Sequence, residues 1–148
     1  MSTPIRTSPG SWTIDEIRMM PRHGFQRLLG LALRNVAPDA IDAEIEIRPE
    51  HCNSVGAVHG GVLLSLADSL GAMGAVQHLG PDQRTATLES KANFVSIARG
   101  SVLVGLCRPV HVGRRTSVWM TRIVDGDGRL VSIITQTQIH LSDQGSHD

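Results

Sequence analysis

The chain has little aromatic material: no tyrosine, two phenylalanines and two tryptophans in 148 residues. Few side chains can stack on an aromatic ligand, so a ligand pocket should be lined by aliphatic residues and by some of the five methionines. Cysteine is scarce too. Cys52 and Cys107 form no CxxC pair, and a reducing cytoplasm is the expected setting. Net charge is absent, with 14 basic and 14 acidic residues, so nothing in bulk electrostatics draws the chain to nucleic acid or to an anionic membrane. Recognition of an anion must therefore be local. The longest apolar run, Gly60 to Val76, is interrupted by Ser65, Asp68 and Ser69 and falls short of a bilayer-spanning segment. The opening MSTPIRTSPGSW has no apolar signal core. No GxSxG occurs, which leaves a serine hydrolase without its nucleophile turn.

What is present suggests one domain over residues 1–148, with a loose polar arm at 1–12 and a polar tail at 142–148. Thr13 with Glu16 three residues on reads as a capped helix start, interrupted by Pro21. FQRLLGLAL from Phe25 reads as another turn or two of helix, released at Gly30. In DAEIEIRPE, Ala43, Ile45 and Ile47 alternate with charged residues, the period-two pattern of a half-buried strand, taken as the first. A long apolar helix follows, closed by Gly80 and Pro81. Its Gly71 and Gly74 are poor helix formers, each costing about 1 kcal/mol relative to alanine, and close packing against a neighbour explains them. Thr85–Ile97, Ser101–His111, Thr116–Val124 and Leu130–Leu141 read as strands, with a hairpin turn at Asp125–Gly128. One apolar helix followed by consecutive antiparallel strands predicts an α+β fold in which the sheet curls around the helix.

The chemistry concentrates in HCNSVGAVHGGVLLSLADSLGAMGAVQHLGP, His51 to Pro81, where Asn53, His59 and Asp68 sit among small and apolar residues. The glycine pair after His59 leaves backbone N–H groups open at a helix start, where partial positive charge can hold an oxyanion. Asp68 lies about 12 Å further along the axis at ~1.5 Å per residue, too far for one centre to use both groups of one helix. A second, antiparallel copy would bring the Asp of one chain to the glycine pair of the other, which predicts a symmetric dimer with two shared sites. Taken alone, Asn53 reads equally as a turn residue and His59 as a core histidine. His51, Cys52 and His59 lack the tight spacing of a zinc site, so no metal is expected.

The run Asn53, Gly56, His59-Gly60-Gly61 and Asp68, in the spacing HGGxxxxLAD, resembles the hotdog-fold acyl-CoA thioesterases, in the phenylacetate-pathway (PaaI-type) branch. TATLESKANF and HVGRRTSV continue the likeness over roughly Phe25 to Leu141. The resemblance implies an antiparallel sheet wrapped around one long helix and an acyl-CoA thioesterase acting on an aromatic or medium-chain substrate without a cofactor. It implies that Asp68 is the nucleophile or general base, that the Gly60 N–H polarises the thioester carbonyl, that Asn53 positions the water or thioester, and that His59 supports the leaving-thiolate side. Thr87 stands where some members orient the water with a serine. Others use a threonine one helical turn after the carboxylate, where this chain has Ala72. Gly113, Arg114 and Arg115 would meet the phosphates of CoA, and the dimer would pair into a tetramer. Two other functions compete. A hydratase or dehydratase of the same fold would want a histidine after Asp68 on the helix, and none follows. A non-enzymatic acyl-CoA sensor would lack the carboxylate or the glycine turn, and both are present.

Overall fold

The structure, a computed structural model, describes residues 10–142. Residues 1–9 of the expected arm and 143–148 of the expected tail lie outside them. Residues 10–12 are not loose: the Gly10 N–H donates to the Gln83 carbonyl at 2.8 Å and the Trp12 N–H to that of Val76 at 2.9 Å. Helix α1 (Ile14–Met19) opens with the expected reciprocal cap, in which Thr13 Oγ1 accepts from the Glu16 N–H and Glu16 Oε2 accepts from the Thr13 N–H. Pro21 sits in a 3-10 turn, Met20–Arg22. Helix α2 (Gly24–Leu29) stops at Gly30, whose φ of 75° is left-handed.

Beyond Gly30 the chain departs from the sequence reading. Leu31 opens a strand, β1 (Leu31–Ala37), antiparallel to β2 (Ala40–Glu46). The strand assigned as first is thus the second of six. A β-bulge hid its predecessor: the register shifts between Leu33 and Asn35, so Arg34 is an extra residue and the apolar alternation Leu31, Leu33 falls out of phase with Val36. A period-two test fails across such a step.

Helix α3 (Gly60–Ala75) ends in a 3-10 turn, Val76–His78, earlier than the expected close at Gly80. Strands β3 (Gln83–Phe94), β4 (Val102–Val112), β5 (Thr116–Asp125) and β6 (Leu130–Ser142) follow. All pairings are antiparallel in one sheet ordered β1-β2-β4-β5-β6-β3. The sheet wraps α3, the hotdog architecture. Leu66, Ala67, Leu70 and Met73 of the helix are buried on Ile41, Ala43 and Ile45 of β2, Leu103 and Cys107 of β4, Trp119 and Ile123 of β5, and Ile134 of β6. Each fully buried leucine or isoleucine contributes roughly 1.5–3 kcal/mol.

The helix glycines face this sheet. A Cβ on Gly71 would lie 2.3 Å from the Gln136 amide, and one on Gly74 would lie 2.6 Å from the Trp119 ring. Gly105 answers from β4, where a Cβ would come within 2.8 Å of Leu70. The neighbour that explains Gly71 and Gly74 is therefore the chain's own sheet, and neither residue argues for contact with a second helix. Gly74→Ala should gain about 1 kcal/mol of helix propensity and lose about 1–3 kcal/mol or more to overpacking against a buried, rigid indole. A lower urea midpoint at unchanged m-value checks the net loss.

At the β5–β6 hairpin, buried Asp125 accepts from the backbone N–H groups of Arg99, Asp127 and Arg129 at 3.0–3.1 Å, with the Arg129 guanidinium at 3.9 Å. Burial works against the charge, but these donors outweigh it and hold the carboxyl below its usual range. A depressed folded pKa adds stability that is complete above the unfolded value of about 3.9 and fades as pH falls through the folded one. Asp125→Asn should melt at a lower temperature than the parent at pH 7, and the gap should narrow below about pH 4.

Candidate functional site

Helix α3 carries two polar clusters, one at its start and one at its middle. At its start, His59 is the N-cap, and its Nδ1 accepts from the Gly61 N–H at 2.8 Å. That bond makes Nδ1 an acceptor and leaves Nε2 as the N–H of a neutral ring, directed away from the cap. The Val62 N–H returns to the His59 carbonyl. The Gly60 N–H has no partner among the described residues. It is an open donor at the positive end of a sixteen-residue helix. The Phe94 ring lies over the Gly60 Cα, where a Cβ would come 2.9 Å from Cζ, so a larger residue would have to displace this half-exposed ring.

Asn53 shapes the loop before this turn. Its Oδ1 accepts from the N–H groups of Val55 and Ala57 at 3.1 and 3.0 Å, and its own N–H donates to the Ala57 carbonyl. With Oδ1 committed, only Nδ2 faces outward, so Asn53 can act on a ligand as a donor. His51 is buried nearby, with Nδ1 accepting from the Arg48 N–H at 3.1 Å and Nε2 3.2 Å from the Arg48 guanidinium. Burial, and then Arg48, lower its pKa.

Two helical turns on, Asp68 is exposed, and its Oδ1 accepts from Thr87 Oγ1 of β3 at 2.7 Å. Behind this pair stand two residues the sequence reading did not select. Gln138 Nε2 donates to Thr87 Oγ1 at 2.8 Å, and Gln136 Nε2 donates to the Asp68 backbone carbonyl at 3.3 Å. Both glutamines are buried on β6. A signal existed: the alternation of Ile134, Gln136 and Gln138 puts two amides on a strand's buried face, where polar groups need partners. The structure thus joins Asp68 with Thr87 by a direct hydrogen bond and puts Asn53 on the loop that leads into His59 and Gly60, but keeps the two sets apart within one chain.

Gly113, Arg114 and Arg115 form the β4–β5 turn, closed by the Gly113 N–H on the Thr116 carbonyl at 2.8 Å. Both arginines are exposed. The Arg115 carbonyl accepts from the His140 N–H, and His140 lies opposite Thr85, which places this turn about 7 Å along β3 from Thr87 at ~3.3 Å per residue. A groove of about 310 Å³ lies elsewhere, at the β1 edge, lined by Arg18, Arg22, Arg34 and apolar residues. Asp15 and Glu44 pair with two of those arginines.

The sequence pattern of the Thioesterase superfamily matches residues 55–132, a range that includes His59, Gly60, Asp68, Thr87 and the arginine turn but not Asn53, Gln136 or Gln138. The chain is 29% identical over 118 residues to 1,4-dihydroxy-2-naphthoyl-CoA hydrolase of Escherichia coli, covering 80% of this chain and 87% of that protein. Among solved structures, AziG of S. sahachiroi superposes with a TM-score of 0.77 at 26% identity, covering 81% of this chain and 98% of that one. A thioesterase of Haemophilus influenzae shares the fold at a TM-score of 0.81 and 20% identity, covering 97% and 100%.

The histidine cap separates structural from chemical roles for His59. His59→Ala should cost about 1 kcal/mol by orphaning the Gly61 N–H, and His59→Asp, which restores an acceptor, should recover it. Thermal melts of the three proteins check this independently of any activity.

Proposed function

Because the chain belongs to the Thioesterase superfamily and is a thioester hydrolase, we propose that it hydrolyses an aromatic or medium-chain acyl-CoA to the free acid and CoA, with Asp68 and the Gly60 N–H at the reacting centre. The observation that carries this reading is the pairing of an open N–H at the start of α3 with a carboxylate held by Thr87. The Gly60 donor would stabilise charge developing on the thioester oxygen; loss of one such donor costs about 3–4 kcal/mol in well-studied enzymes. Asp68 Oδ1 is occupied by Thr87, so Oδ2 faces the substrate. It either attacks the carbonyl carbon, giving an acyl–aspartate that water then cleaves, or takes a proton from the attacking water. In both routes the C–S bond breaks and the thiolate leaves with the sulfur electron pair. Asn53 Nδ2 and the outward Nε2 of His59 supply donors on the glycine side.

One chain cannot bring these groups together. Gly60 and Asp68 are separated by eight residues of helix, about 12 Å. Strand β3 is one of the two edges of the sheet, with Leu88 61%, Phe94 56% and Ile97 67% exposed on it or just past it, an arrangement that invites pairing with another chain. A symmetric dimer would give each site Asn53, His59 and Gly60 from one subunit and Asp68 with Thr87 from the other, and a second pairing would make a tetramer. Exposed Arg114 and Arg115, presented by the turn at Gly113, would contact the CoA phosphates. The coenzyme-A thioester in the name of the Escherichia coli relative supports the substrate class.

Two lesions test this together. Asp68→Asn should lower kcat by orders of magnitude on acyl-CoA, read as thiol release. Asn53→Asp keeps the Oδ1 acceptor that builds the loop and removes the outward donor, so it should lower activity without unfolding. Mixed and allowed to exchange, the two inactive proteins should regain up to about a quarter of parental activity, because half of the dimers are mixed and each mixed dimer has one intact site of two. Verified mixed dimers that stay inactive would put all reacting groups in one chain.

A further inference from the structure

We propose that Gln138 is a positioning residue for the Asp68 carboxylate, acting through the Thr87 hydroxyl. This rests on the catalytic reading of Asp68 given above. Gln138 is fully buried on β6, and Thr87 lies directly opposite it on β3. Its Nε2 is 2.8 Å from Thr87 Oγ1, its Oε1 is 3.0 Å from Thr85 Oγ1, and Thr87 Oγ1 is 2.7 Å from Asp68 Oδ1. These contacts form a relay that starts in the strand pair and ends on the carboxylate.

The carboxylate sets the direction of the relay. An ionised carboxyl only accepts, so the single hydroxyl proton of Thr87 must point at Asp68. Thr87 Oγ1 then has only lone pairs to offer Gln138, which must present its N–H and turn its carbonyl towards the Thr85 hydroxyl. The reversed amide would set the Gln138 oxygen against a Thr87 oxygen whose proton is already used. With the Gln138 N–H on its lone pair, the Thr87 hydroxyl is held in the rotamer that serves Asp68, and a donor that itself accepts a hydrogen bond is strengthened by it. Asp68 Oδ1 is thereby saturated from one side and Oδ2 is aimed outward. Gln136, two residues earlier on the same face, holds the Asp68 carbonyl at 3.3 Å, so side chain and backbone are both pinned to β6. The sequence TQTQ at 135–138 supplies both amides.

A double-mutant cycle tests the route. Gln138→Met keeps the length and buried volume of the side chain but removes the donor; kcat on acyl-CoA should fall about tenfold with KM unchanged. Thr87→Val should fall at least as far, and the double variant should be no slower than Thr87→Val alone. Parental kcat in Gln138→Met, or losses that multiply in the double variant, would overturn the proposal. Gln138→Glu covers the event that Gln138→Met does not fold. It keeps an acceptor for Thr85 and sets a second acceptor against Thr87, so its activity relative to the parent should be low at pH 8 and recover towards pH 5 as the introduced carboxyl gains a proton it can donate. A flat ratio across that range would also overturn the proposal. Asp68→Asn in the same assay keeps the two readings distinct. If it is inactive, a failure of Gln138 leaves the catalytic assignment standing; if it is active, both fall.

Discussion

The close approach of α3 to the sheet is the constraint on which the rest of the molecule depends. Gly71 and Gly74 let the helix descend onto Gln136 and Trp119, and Gly105 lets β4 rise towards Leu66 and Leu70. At this spacing a glutamine side chain on β6 can reach the backbone of the helix, and a threonine hydroxyl on β3 can reach a helix carboxylate. A helix lifted by one methyl layer would break both contacts and loosen the apolar core with them. Two glycines in one helix cost about 2 kcal/mol of propensity; burial of several leucines and isoleucines, each contributing roughly 1.5–3 kcal/mol, more than offsets this.

The same helix divides its polar chemistry by position. Its N-terminus concentrates donors, because the first N–H groups have no carbonyl a turn before them, and here the His59 side chain satisfies the Gly61 N–H while the Gly60 N–H stays open. A carboxylate in that turn would occupy the open donor with its own charge. Asp68 sits two turns later, beyond the reach of the dipole's positive end, and obtains its donor from Thr87 instead. The start and the middle of the helix therefore carry the two polar groups that the proposed acyl transfer would use, and β3 is an exposed edge strand beside them.

Much of this was legible in sequence because it is local. The reciprocal cap of Thr13 and Glu16, the alternation through Ala43 and Ile45, and the hairpin at Asp125–Gly128 each depend on residues within a few positions of one another, and each is observed, although Ile47, the third apolar residue of the expected alternation, falls just past the end of β2. Strand β1 was not legible. Its bulge at Arg34 breaks the periodicity that betrays a strand, and the pairing with β2 that pays for the bulge is invisible to a window of residues. The role of Gln138 was not legible for a related reason: the alternation with Gln136 marks two amides on a buried face, but not which group lies opposite them.

By itself the sequence determined which groups were available: a histidine and glycine pair opening an apolar helix, a carboxylate eight residues beyond Gly60, and too few aromatics or net charges for a stacking or polyanion-binding surface. These follow from composition and from the 3.6- and 2-residue periods of the backbone. Tertiary structure alone decided what those groups face. Thr87 and Asp68 are 19 residues apart, and Thr87 and Gln138 are 51, so only the order of strands in the sheet could bring them together. Where the glycines of α3 point was settled in the same way, since a helix sequence records which positions are small and the packing of the sheet records what fills the space beside them.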